Sequence, residues 1–487
     1  MNRQLPSLIL MLLASPVFAQ VAAQTGPATT APALTTDQSS TALRVVQIKA
    51  PPAAAPVNAM QYQFLPDILD QTPGDAVQLY YQAMSYPALS LTSNREIFGK
   101  IEAWRDMPVD KLPKQEVHAA LDGFKVPLHL IELAARTEGG EWDYPIRSEG
   151  YSLMLPSFGT LRSLAKVLPL RIRLEIAEGK IDEAIHDLQT GFAMARQVGS
   201  KTPVLIQSLV GMSIGALITE QVPSLIEAPG APNLYWALTA IQPPLVDAHK
   251  ALQTEQSSLY LAFPMLRDAQ RGKPTSPQDW QKALDSVDTL FASITGNPSG
   301  NERLVMAMAA VKLYPQAKQR LLERGFTLEQ IEAMPVAQVV AMVSLETYQR
   351  LRDQFFKWFD VPYWQAAQGL DQAEQAIVEA RQRGEGQPFI SLLPSLGKLP
   401  FLEAQLDRKI AALRIVEALR MYAASHDGQL PAALSDITEV PIPIDPVTGK
   451  SFQYTVVGNK AVVEGPAPQG RSFNPRDGVR YELTLTK

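Results

Sequence analysis

Ser213 lies in the run Gly211-Met212-Ser213-Ile214-Gly215, and G-x-S-x-G is the spacing of a nucleophile elbow, where a strained strand-to-helix turn exposes a serine for acyl transfer. Residues 204–210 would supply the strand, which makes a serine hydrolase one reading of the chain. The same spacing puts small residues four apart, as a buried helix does to approach a neighbour closely. Strands and helices do not alternate around it, and His249 and His426 stand in poor contexts for a triad base, so packing is the preferred reading. The five histidines, His118, His129, His186, His249 and His426, form no H-E-x-x-H and no i, i+4 pair, and there is no cysteine. No metal site is therefore expected. Phosphate-binding glycine loops are also missing, so no nucleotide or other cofactor is expected. Six aromatics crowd ten residues: Phe355, Phe356, Trp358, Phe359, Tyr363 and Trp364. They point to more than one side of a helix, so part belongs to a core, and the segment is the best candidate for a ligand or partner surface.

Residues 1–19 set the context for these groups. Arg3, the apolar run 8–13 and the small residues Val17 and Ala19 read as a secretory signal peptide, shorter than the roughly 20 residues that span a bilayer. The expected destination is the periplasm or the outside of the cell. Lack of cysteine excludes a disulfide framework, a lipid-anchored lipoprotein and a cysteine nucleophile together. The chain of 487 residues carries 44 Lys plus Arg against 49 Asp plus Glu, a formal charge of -5, with no basic cluster. Nucleic acid is an unsuitable partner for that surface. The most apolar later stretch, 204–218, is interrupted by Gln207, Ser208, Gly211 and Ser213, so no membrane span is expected in the mature chain.

Residues 20–57, rich in Ala, Thr and Pro, read as a disordered tether. From 58 to 400 the periodicity is helical, punctuated by Pro and Gly. Helices are expected over 75–84, 161–176, 181–198, 203–222, 236–241, 244–262, 277–295, 303–324, 327–359 and 370–383. The body is thus mainly α, irregular or solenoid-like. After 400 the pattern changes to an amphipathic helix over 402–424, with Leu406, Ile410, Leu413 and Leu419 near one stripe. A hairpin over 451–464 turns at Gly458-Asn459, and a last strand spans 479–485. Residues 401–487 are therefore expected to form a small α+β module with a three-stranded antiparallel sheet.

Gly179, Ile181 and Ala184 stand where a tetratricopeptide repeat places its turn glycine, a large apolar residue and the alanine at a helix crossing. The likeness covers one helical hairpin, and no second copy recurs at the 34-residue period. Arg324-Gly325-Phe326-Thr327-Leu328-Glu329 resembles a prepilin cleavage motif, but it lies deep in the chain, and Thr327 with Gln330 reads as the capping box of an ordinary helix. The helix over 411–422, then Asp427-Gly428 and Pro431, then Asp445-Pro446-Val447-Thr448-Gly449 leading to Phe452 and Tyr454, resembles the globular head of type II secretion major pseudopilins. That resemblance implies a helix running into a small antiparallel sheet, with Asp445, Pro446 and Gly449 as its turn. The calcium-binding acids of such heads are thin here, with Asp477 alone beyond Asp445, and the pilin membrane helix is missing. The tail is also similar to those of secreted bacterial proteins of no known function.

These observations lead to one expectation: an exported, non-catalytic interaction or scaffold protein of the cell envelope, presenting helical surfaces to a protein or glycan partner. A hydrolase using Ser213, and an accessory of a pilus or type II secretion apparatus, are the alternatives. The first requires Ser213 at an exposed strained turn, and the second a tail that packs openly beside a partner.

Overall fold

The computed structural model describes residues 43–87, 94–149, 158–283, 285, 302–468 and 477–486. The expected signal peptide lies outside them, as do most of the expected tether and the far end of the helix expected over 277–295. The body contains α1 (Ala76–Met84), α2 (Arg95–Asp106), α3 (Lys114–Asp122), α4 (Lys125–Ala135), α5 (Phe158–Ala177), α6 (Ile181–Ser200), α7 (Leu205–Thr219), α8 (Val222–Glu227) and α9 (Tyr235–Thr239). There follow α10 (His249–Ala262), α11 (Met265–Gln270), α12 (Glu302–Glu323), α13 (Leu328–Glu332), α14 (Val336–Phe356), α15 (Tyr363–Gln382) and α16 (Leu399–Ser425). A four-stranded sheet holds β1 (Val45–Ala50), β4 (Gln453–Val457), β5 (Lys460–Gly465) and β6 (Val479–Leu485) in the order β1-β6-β5-β4. Two short strands, β2 (Thr72–Asp75) and β3 (Thr137–Gly139), pair beside the N-terminal helices.

Gly179 sits at φ +74 between α5 and α6, with open space where a side chain would be, so the backbone angle alone selects glycine. α6 and α7 pack more closely still. A Cβ on Gly211 would lie 2.5 Å from Gly199 Cα and 2.8 Å from the Ala195 carbonyl oxygen, so the two backbones touch where both are bare. Thr327 caps α13, and the reciprocal Gln330 bond completes the capping box read from the sequence.

The sheet departs from expectation. β5 pairs antiparallel with β4 and β6, but a fourth strand, β1, runs parallel to β6 from Val45↔Arg480 to Ala50↔Leu485. The sheet is mixed, and the described part of the 20–57 segment is structured. Alternation explains it: Ile48 and Ala50 are fully buried between exposed Gln47 and Lys49. The following backbone is fastened too, with Arg420 Nε donating to the Pro51 carbonyl at 3.0 Å.

α16 is buried around its whole circumference rather than along one stripe, because the sheet covers one side and α7, α9 and α15 the others. Three of its charges are wholly buried. Arg420 forks onto both Glu417 oxygens at 3.0 Å, and Arg408 meets Asp445 at 2.6 Å. The largest apolar cluster draws side chains from both sides of residue 400, from Ile48 to Leu485, beside two smaller clusters around Leu321 and Phe401. Leu205–Glu227 is the one described helical stretch apolar and long enough to cross a membrane, and 61% of its most apolar window is buried inside the protein.

Candidate functional site

Ser213 lies inside α7, on regular helix rather than a strained turn, and its hydroxyl bonds to no other described residue. The flanking glycines are packing positions: Gly211 faces Gly199, and a Cβ on Gly215 would lie 2.9 Å from Leu245 Cδ2. The histidines are engaged elsewhere, His118 with Glu178, His129 with Glu132, His186 with Arg136, His249 with Asp247 and His426 with Tyr422. None of these histidines is hydrogen-bonded to Ser213 among the described residues, and the strained exposed turn that a nucleophile elbow requires is not found there. Among the described residues no group of three or more His, Asp or Glu could hold a metal ion.

Asp445 is structural. Its carboxylate accepts from Arg408, from the Val447 N–H at 2.9 Å and from the Thr448 hydroxyl at 3.0 Å, so its oxygens are taken by the turn and a buried guanidinium. Pro446 follows it in the turn, and Gly449, at φ +67, lies beneath the Trp364 indole, which a Cβ would meet at 2.5 Å. The turn thereby joins α15, and Val447 packs with Tyr363 and Phe401 in a small cluster of its own.

The aromatic segment divides accordingly. Phe355, Phe356, Phe359 and Tyr363 are buried, Trp358 is half-buried against Gly369, and Trp364 alone is well exposed. Phe355, Phe356 and Phe359 pack edge-on or tilted, with centroids 5.3 to 5.5 Å apart. Phe356 and Phe359 also line a pocket.

That pocket, of about 260 Å³, opens between α10 and the end of α14. α10 contributes His249, Leu252, Gln253 and Gln256; Asp353, Phe356, Lys357 and Asp360 face them, with Phe359. The α10 stripe follows the spacing i, i+3, i+4, i+7 of one helix face, and the facing residues run from the last turn of α14 into the 3-10 turn Lys357–Asp360. Asp247 holds the His249 imidazole well above its ordinary value, at about 9, so the ring is cationic at neutral pH. Asp353 accepts from Arg352 at 2.9 Å, and the Lys357 ammonium binds Gln354 and lies over the Trp358 ring. Gln253, Gln256 and Asp360 make no side-chain bond to any described residue.

A second pocket, of about 440 Å³, lies where α4, α5 and α6 meet. Arg171 grips Asp187 through Nε and Nη2 and Glu132 at 2.5 Å. One turn on, burial and the Asp187 charge push the Glu175 carboxyl up to about 9, and its Oε2 is sealed from solvent without a partner. Burial raises Asp187 as well. Arg136 donates to His186 Nδ1 at 2.9 Å and to Gln189 at 2.8 Å. Burial and that guanidinium hold the imidazole below its usual range. The Arg171 guanidinium is closed by carboxylates of its own chain, so the network ties three helices together. The sequence shows it only as charges on the apolar faces of a hairpin, at 171, 175 and 187.

No protein-family model, curated protein or solved structure matches the chain.

Proposed function

We propose that this chain is an exported, non-catalytic interaction protein of the cell envelope, which holds a protein or glycan partner in the pocket between α10 and α14. The carrying observation is the chemistry of that pocket: Gln253, Gln256 and Asp360, whose side chains bond to no described residue, share its lining with Phe356 and Phe359. Elsewhere the guanidiniums of Arg171, Arg408 and Arg420 are each bound by a carboxylate of the chain itself and act as struts. In this reading the leader at 1–19 directs export, the following residues space the body from its point of emergence, and β1 anchors that segment to the last strand. The apolar α7 is a core helix of an irregular helical scaffold, not a span.

The reading as an accessory of a pilus or secretion apparatus is less well supported. It rests on the sequence resemblance of residues 411–454 to a pseudopilin head, while α16 lies inside the common core and Asp445 is committed to Arg408. Saturable co-sedimentation of the mature chain with isolated cell-envelope fractions is the expected result. Failure to sediment with any fraction would count against the proposal.

A further inference from the structure

We infer that the pocket between α10 and α14 takes one pyranose-sized, uncharged sugar unit of a glycan, an assignment that rests on the interaction reading above and names its ligand. Size sets the first limit. At about 260 Å³ the pocket falls just below the roughly 300–1,000 Å³ usual for small-molecule sites. Its walls are two stretches of eight residues, His249–Gln256 on α10 and Asp353–Asp360 at the end of α14 and in the 3-10 turn after it, each about 10 Å long at about 1.5–2 Å per residue. That length suits a single ring better than an extended peptide, which needs a longer groove or a free strand edge to satisfy its backbone.

Charge sets the second limit. His249 is paired with Asp247 and Asp353 with Arg352, and Lys357 and Asp360 carry opposite charges on the same opening, so neither an anion nor a cation finds an uncompensated field. A neutral ligand rich in hydroxyls fits. Each amide of Gln253 and Gln256 can donate and accept at once, and the Asp360 carboxylate can accept from two adjacent hydroxyls. The apolar edges of Phe356, Phe359 and Leu252 complement the C–H face of a sugar ring, which is apolar while its rim is polar.

Saturation-transfer NMR tests this with the mature chain and glucose, galactose, N-acetylglucosamine, cellotetraose and chitotetraose as probes, and tetra-alanine as the peptide comparison. At least one saccharide should receive saturation on its ring C–H protons. The signal should fall at least tenfold in the surface variant Gln253→Ala/Gln256→Ala/Asp360→Ala, whose circular dichroism should match the parent. No transfer to any saccharide, transfer undiminished in the variant, or transfer to tetra-alanine alone would each overturn the assignment. Envelope co-sedimentation run beside it separates the two claims. If envelope binding depends on these residues while no saccharide binds, the sugar assignment fails and the interaction reading stands; if envelope binding ignores them, that reading fails as well.

Discussion

The contact between α6 and α7 decides between the two readings of the G-x-S-x-G run, and Gly211→Ala tests it. The new Cβ would lie 2.5 Å from Gly199 Cα, 2.7 Å from Gly199 N and 2.8 Å from the Ala195 carbonyl oxygen. Carbon atoms rest at about 3.5–4.0 Å, so the helices must part by about 1 Å, and all three obstructing atoms are backbone that no rotamer change can move. Overpacking of this kind costs about 1–3 kcal/mol, with the upper end expected where the backbone must yield. Alanine recovers about 1 kcal/mol of helix propensity over glycine, leaving a net loss of about 2 kcal/mol. Gly215→Ala is the internal comparison. Its close contacts are the side-chain tips Leu245 Cδ2 at 2.9 Å and Leu406 Cδ2 at 3.0 Å, which can turn aside, and Ala195 Cβ at 3.6 Å is an ordinary contact. The recovered propensity of about 1 kcal/mol should then bring its net effect close to zero. Ser213→Ala, changing a helical hydroxyl without a partner, should stay within about 0.5 kcal/mol of the parent. Urea denaturation of the mature chain and the three variants measures the series. A Gly211→Ala protein as stable as the parent, or less affected than Gly215→Ala, would refute the close approach.

Arg408→Met leaves the Asp445 carboxylate, 1% exposed, without its guanidinium and should cost about 3–5 kcal/mol, most of it recovered in the Arg408→Met/Asp445→Asn double variant; equal losses in both would show that the pair is not the source. The Glu175 carboxyl is raised from 4.5 to about 9, so the fold favours its protonated form and loses stability as pH rises through that window. Glu175→Gln should therefore gain on the parent from pH 5 to pH 9 in denaturation midpoints, and a constant gap would contradict the shift. Ile48→Ala, at a fully buried position of β1, should cost about 2–5 kcal/mol, while Val45→Ala, 42% exposed, should change stability by less than about 0.5 kcal/mol. Two silent substitutions there would restore the tether reading.

What the sequence discloses is local. Gly179 marks the α5–α6 turn, Thr327 and Gln330 cap α13, and β6 covers the 479–485 expected from alternation. At Gly458-Asn459 the hairpin turns with a positive φ at the first position only. Partnership over distance is not disclosed. The strand at 45–50 is six residues in an Ala- and Pro-rich stretch, and its alternation acquires meaning only against β6, more than four hundred residues away. α16 reads as amphipathic from Leu406, Ile410, Leu413 and Leu419, yet burial of Arg408, Glu417 and Arg420 depends on neighbours that periodicity does not contain. The aromatic segment offers six candidates for a ligand or partner surface, of which Phe356 and Phe359 line a pocket, but it cannot supply the opposite wall, because His249 to Gln256 meets it only through the tertiary fold.

The interaction reading stands or falls on whether the α10–α14 pocket carries binding to the envelope. We would compare the affinity of the mature chain for isolated envelope fractions with those of Gln253→Ala/Gln256→Ala/Asp360→Ala and Ser213→Ala. The account predicts at least a tenfold loss for the triple variant and an unchanged value for Ser213→Ala. Full binding by the triple variant, or a loss confined to Ser213→Ala, would contradict it.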